Sequence, residues 1–189
     1  MAHSKKSKRA AKAAPRKATQ SKRPAAKKRV AAIPSGYHTV TPYLVCRGAA
    51  KAIEFYKKAF GAKEKLVMRG PGGSVMHAEI VIDGSVVMLS DEMPEMGARS
   101  PESIGGTASG VFIFTPHVDV AYARAIAAGS TPEMPPMDMF WGDRYCKFLD
   151  PFGHRWSMAT HIEDVSPKEM ARRGEAFMAQ QAAAAAPKP

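Results

Sequence analysis

The sequence predicts an α+β fold in which one strand–helix–three-strand module, βαβββ, is used twice, between a basic tail and a C-terminal helix. Three observations carry this. Asp83-Gly84 and Asp150-Pro151-Phe152-Gly153 each stand between apolar, strand-like runs and read as hairpin turns. Their glycines, Gly84 and Gly153, are 69 positions apart. The glycine that stops each helix precedes its turn by almost the same interval, 23 positions from Gly61 to Gly84 and 24 from Gly129 to Gly153, as a duplicated unit requires.

Residues 1–35 are Lys, Ala, Pro, Ser and Arg with little to bury, so they cannot offset their own ordering entropy and are expected to be disordered. Residues 1–29 hold 12 of the 28 basic residues and no acid, leaving 16 basic against 17 acidic residues elsewhere. The net charge of +11 therefore belongs to the tail. Loose, salt-sensitive contact with nucleic acid or another polyanion is expected of residues 1–30 alone, against an even alternative of a solvated tail with no specific partner.

A domain is expected over residues 36–165, with modules at about 37–91 and 109–160. His38 to Val45 alternates as a strand, with Thr41, Tyr43 and Val45 on one face. Pro42 donates no ladder bond, which places that strand at an edge or makes it irregular. Gly48 opens a helix carrying Ala49, Ala52, Ile53, Tyr56, Ala59 and Phe60 at helical spacing, and Gly61 ends it. A strand over Glu64 to Arg69, a turn at Gly70-Pro71-Gly72-Gly73 and a hairpin over Val75 to Ser90 complete the unit. Residues 91–109 read as a linker. The order then recurs, with a strand over Val111 to Phe114 and a helix over Asp119 to Ala128 that puts Val120, Ala121, Ala125 and Ala128 on one stripe. The Met- and Pro-rich stretch up to Met139 reads as a flexible loop able to act as a lid, leading into Trp141 and the last hairpin. Ser166-Pro167-Lys168-Glu169 is a capping box, opening a helix that starts the C-terminal segment 166–189.

Cys46 and Cys146 form no CxxC and read as two reduced, buried thiols of a cytoplasmic protein. No apolar run reaches the ~20 residues of a membrane span, and no apolar stretch follows the N-terminal charges as in a secretory signal. The glycine turn at 70–73 lacks the Lys-Ser/Thr of a phosphate loop.

One strand carries candidate chemistry. Between Ser74 and Ile82, Met76, Ala78, Ile80 and Ile82 form an apolar face, which sets His77 and Glu79 together on the other. A carboxylate beside an imidazole suits general acid/base catalysis. The same pair could be half of a displaced metal site with Asp91 as third ligand, or a hydrogen-bonded pair that only orients a ligand.

Several motifs together resemble the vicinal oxygen chelate superfamily of glyoxalase I, bleomycin and fosfomycin resistance proteins and extradiol dioxygenases, most closely its PhnB-like branch. They are Val40-Thr41-Pro42-Tyr43-Leu44, Ala52-Ile53-Glu54-Phe55-Tyr56, Met76-His77-Ala78-Glu79, Met88-Leu89-Ser90-Asp91-Glu92, Trp141-Gly142-Asp143-Arg144-Tyr145 and Asp150-Pro151-Phe152-Gly153-His154-Arg155-Trp156. The resemblance implies paired modules whose sheets curl around a cleft, a small organic ligand in that cleft and a homodimer. Metal-using members place ligands at positions that correspond here to Thr41, Met88, Gly110 and Ser157. None of these is His, Glu or Asp, so no metal or other cofactor is expected, a divalent ion being the weaker alternative. Residues expected at the cleft are Glu79 and His77 for proton transfer, and Thr41, Tyr43, Phe112, Trp141, Arg144, Arg155 and Ser157 for ligand contact. The expected function is small-molecule binding, with lyase or isomerase chemistry by proton transfer without the usual metal. The alternatives are a ligand-sequestering protein without catalysis, and a polyanion binder acting through the tail.

Overall fold

The computed structural model describes residues 30–185, so the expectations for residues 1–29 lie outside the described residues. The first module comprises β1 (Tyr43–Cys46), α1 (Ala49–Phe60), β2 (Lys63–Arg69), β3 (Val75–Ile82) and β4 (Ser85–Asp91). A short helix, α2 (Pro101–Ile104), lies in the connection. The second module comprises β5 (Gly110–Phe114), α3 (Val118–Ala127), β6 (Thr131–Asp138), β7 (Asp143–Leu149) and β8 (Arg155–His161), and α4 (Pro167–Ala185) follows it. The two four-stranded sheets have matching orders, β1-β4-β3-β2 and β5-β8-β7-β6. In each, the first strand runs parallel to the last and the other pairs are antiparallel.

Local chemistry explains the boundaries. Gly61 takes a left-handed conformation after α1; its N–H bonds Lys57 O at 3.1 Å and that of Ala62 bonds Tyr56 O at 3.3 Å, a Schellman closure. Asp91, at the end of β4, caps the start of α1: its Oδ1 accepts from Gly48 N at 3.1 Å and Ala49 N at 2.6 Å, and its Oδ2 from Val75 N at 2.7 Å. The first hairpin turns on two residues with positive φ, Asp83 at 43° and Gly84 at 84°, the twist a two-residue hairpin needs. In the second, Gly153 N–H closes the turn on Asp150 O at 3.1 Å. Gly153 has φ of 81°, and a Cβ there would stand 2.8 Å from Pro101 Cβ.

Helix α1 joins the modules. Phe60 packs on Trp156 of β8 at 4.6 Å between ring centroids and on Phe148 of β7 at 6.2 Å. The helix-facing sides of both sheets enter one buried cluster with α1 and α3. Asp150 is the polar knot in this core. Only 3% exposed, it accepts from Tyr56 Oη at 2.8 Å, Trp156 Nε1 at 2.9 Å, Phe152 N at 2.9 Å and His154 N at 2.8 Å. Four donors replace the water that a buried carboxylate loses.

Four sequence expectations change. The first strand begins at Tyr43 rather than His38; Pro42 still accepts from Met88 N at 2.9 Å but has no N–H to give, and β1 is an edge strand. The Met- and Pro-rich stretch is strand β6 and not a lid. Its three prolines are tolerated because β6 is the outer strand and slips register at Pro132/Met134 and Met134/Met137. Helix α3 buries Val118, Ala121 and Ala125, while Val120 is 68% exposed. In the capping box, Ser166 Oγ accepts from Glu169 N at 3.3 Å, but the Glu169 carboxylate turns to Arg172 and Arg173. Among the described residues no helix is long and apolar enough to cross a membrane.

Candidate functional site

With one face of each sheet in the common core, the other face of each looks outward. Strand alternation and register put Tyr43, Met88, His77, Glu79, Leu66 and Met68 on the outer face of the first sheet. Here the sequence-derived pair becomes a chain of four polar groups. Tyr43 Oη lies 3.3 Å from His77 Nδ1, and His77 Nε2 lies 3.4 Å from Glu79 Oε1. The other carboxylate oxygen accepts from Tyr37 Oη and is 3.1 Å from Lys65 Nζ. The Tyr37 hydroxyl holds the Glu79 carboxyl below its usual range, against the upward push of burial, and Lys65 and His77 add to it. Glu79 is therefore an ionised anchor. An ionised carboxylate only accepts, so His77 Nε2 is the donor to it, and in the neutral ring Nδ1 is then the acceptor that faces Tyr43.

The outer face of the second sheet is aromatic. Phe112 stacks on Tyr145 at 5.9 Å and touches Phe114 at 4.9 Å, and Trp141 meets Tyr145 edge-on at 5.7 Å. Tyr145 Oη and Ser157 Oγ are 2.8 Å apart. Arg155 grips Glu133 through two nitrogens, at 3.0 Å each, and Lys147 adds a contact at 3.4 Å. Trp141 Nε1 donates to Asp143 Oδ2 at 2.9 Å.

The structure thus groups Tyr43, His77 and Glu79 on one face, and Phe112, Trp141, Arg155 and Ser157 on another. Thr41 precedes β1 and turns its hydroxyl to His38 O at 3.4 Å. Arg144 lies on neither outer face: it pairs in register with Thr160 and is held by Asp119 at 2.6 Å and Asp138 at 2.9 Å, beside the start of α3. Tyr37, Lys65, Glu133, Tyr145 and Lys147 were not anticipated. Alternation along β7 could have placed Tyr145 and Lys147, but no pattern marks Tyr37, which sits outside any strand.

The four positions that the resemblance assigns to metal ligands do not suit a divalent ion. Met88 offers a thioether, Gly110 nothing, and the hydroxyls of Thr41 and Ser157 already have partners. Asp91 spends its oxygens on backbone N–H groups around the start of α1, away from His77. Among the described residues no three His, Cys, Asp or Glu side chains converge. The thiols are no nucleophiles: burial pushes Cys46 up to about 12 and Cys146 up to about 11. An apolar groove of about 380 Å³ shares Phe112 and Phe114 with the aromatic face and runs along β5 past Val40, Pro42 and Val86; neither His77 nor Glu79 lines it.

Residues 37–158 match the family model of the glyoxalase/bleomycin resistance protein/dioxygenase superfamily, and the chain belongs to that superfamily. An uncharacterized protein of Mycobacterium bovis is 42% identical over 134 residues, covering 69% of this chain and 88% of that protein. TioX from Micromonospora sp. ML1 superposes with a TM-score of 0.52 at 25% identity, covering 65% of this chain and 97% of TioX. A PhnB protein from Bacillus cereus superposes with a TM-score of 0.50 at 19% identity, covering 65% of this chain and 99% of its own; at that identity the likeness is one of fold.

Proposed function

We propose that this is a small-molecule-binding protein of the PhnB-like branch that moves a proton on its ligand through His77, oriented by Glu79, without a resident metal. Superfamily membership supports the binding. The observation that carries the chemistry is the chain Tyr43–His77–Glu79, in which a buried, ionised carboxylate fixes one imidazole nitrogen and leaves the other facing the exposed Tyr43 hydroxyl. At 3.3 and 3.4 Å both contacts are long, and this reading requires them to shorten when a ligand excludes water. His77, not the strongly paired Glu79, is the base.

The working form is a homodimer. Each outer face exposes large apolar side chains: Tyr43 at 49% and Met68 at 51% on one sheet, Phe112 at 47% and Phe114 at 61% on the other. Four sheet edges are open, and two are blunted. Edge β2 carries Lys63, Lys65 and Arg69 and two register slips, and edge β6 carries Pro132, Pro135 and Pro136. The remaining edges, β1 and β5, can meet those of a second copy, which sets the polar relay of one chain against the aromatic shelf of the other.

The test is deuterium uptake from heavy water at carbon positions next to a carbonyl, across a panel of aromatic and carbonyl acids whose binding is mapped by chemical shift. His77→Gln lowers exchange by about 10²–10⁴-fold while binding persists. Binding without exchange in the wild type would instead establish the second reading, a sequestering protein in which Glu79 and His77 orient the ligand. That reading draws on how completely Tyr37 and Lys65 tie up Glu79.

A further inference from the structure

Glu79 lies on an outward face, beside a half-exposed His77 and Met88 and an exposed Leu66, yet is itself only 6% exposed. Its cover comes from the arm that precedes the first sheet. Gly36, with φ of 83°, turns the chain, Tyr37 N–H bonds back to Pro34 O at 3.2 Å, and the Tyr37 side chain is laid over β3. There its hydroxyl donates to Glu79 Oε2. Lys65 locks the arrangement twice, with its ammonium 3.5 Å from the centroid of the Tyr37 ring and 3.1 Å from the same carboxylate oxygen. Lys65 reaches this position because β2 slips register between Glu64 and Leu66.

We infer that Tyr37 is a positioning residue of the His77 site, delivered by the arm, and that the tautomer of His77 is set only while the arm is docked. This rests on the reading of His77 as the base. The causal chain is short. Tyr37 and Lys65 saturate Oε2 and keep Glu79 ionised, which leaves Oε1 as a pure acceptor for His77 Nε2. Proton placement on Nε2 frees Nδ1 for Tyr43 and for a ligand. Without the Tyr37 hydroxyl, Oε2 keeps Lys65 but loses its second donor, and a water takes the vacated place beside it. The carboxylate then turns or hydrates, and neither imidazole nitrogen is favoured. Nothing along β3 itself supplies this control, because the neighbours of Glu79 on that strand are Ala78 and Ile80.

The experiment reads the His77 ring nitrogens of the full-length ¹⁵N-labelled protein by long-range ¹H–¹⁵N correlation. It is run at about pH 8.5, two units above an ordinary imidazole. In the wild type the two nitrogen shifts are far apart, with the proton on Nε2. In Tyr37→Phe, which keeps the ring and its contact with Lys65, the two shifts converge. Gly36→Val retains the hydroxyl but strains the turn that places it, and produces the same convergence. Widely separated, wild-type shifts in both variants would overturn the inference. So would a wild-type His77 that is already an even mixture of tautomers. The readout needs no ligand, so a failed deuterium exchange sinks the catalytic reading and leaves the tautomer result standing on its own.

Discussion

Asp150 shows how one side chain serves two ranges of sequence. Locally its carboxylate and carbonyl close the turn onto Phe152, Gly153 and His154; at long range it bonds Tyr56, 94 positions away. The turn was legible in the sequence, since Asp, Pro and Gly stand where a turn uses them. The bond to Tyr56 was not, because no local pattern records a partner brought in by packing. Asp150→Ala strands four donors in the core and lowers stability by about 3–5 kcal/mol, measured as a reduced urea midpoint with unchanged slope. His154 gives a pH signature. Burial lowers its pKa, although the Asp150 charge works against this, and its Nε2 donates to Val45 O at 3.1 Å. The unfolded chain therefore takes up the proton first, near pH ~6.5, and stability falls as pH drops from there towards the depressed folded value. His161 has the opposite sign, because Asp143 raises its pKa; its contribution is full below ~6.5 and fades as pH rises. In a His161→Asn background, melting temperatures at two pH values spanning this window should differ in the parent. They should converge when His154→Gln is added; an undiminished difference would remove His154 as the cause.

At the scale of elements, the two modules share a plan but differ in how each piece is secured. Helix α1 has no capping side chain of its own at Gly48, and Asp91 from β4 takes that part while also binding β3. Asp91→Ala lowers stability by about 2 kcal/mol, at the upper end for a lost cap because a strand N–H is orphaned too. Early loss of amide protection at Gly48 to Ala52 during hydrogen exchange would confirm the place of the damage. Strand β6 was illegible because three prolines in eight residues read as loop; only the outer position in the sheet makes them acceptable. The helices were legible from apolar spacing, but α3 was misjudged by a residue or two because small alanines dominate its stripe. Helix α4 touches the domain through Phe177 on Phe140 and Arg173 on Glu163, a light attachment.

For the molecule as a whole, the repeat of glycine intervals made the fold readable, because turn geometry is written in local residues. The division of the candidate site was not readable. Alternation assigns residues to a face of their own strand but does not say that the faces of two sheets look away from a shared core. The pairing proposed for β1 and β5 predicts a particle of twice the 20.4 kDa chain mass by light scattering. Phe112→Asp, on an exposed position, shifts the mass to a single chain while far-ultraviolet dichroism is retained; a wild-type protein that already weighs 20.4 kDa would dismiss the dimer.

The 69-residue offset between the two hairpins also has a genetic consequence. In the proposed dimer each cleft draws the relay from one gene copy's product and the shelf from the other's. A chain defective in His77 and a chain defective in Tyr145 are then recessive to one another. Mixed at equal amounts and allowed to exchange subunits, they form mixed dimers half of the time, each with one undamaged cleft and one doubly damaged. About a quarter of all clefts regain full function from two inactive parents, a complementation that a site confined to a single chain cannot show.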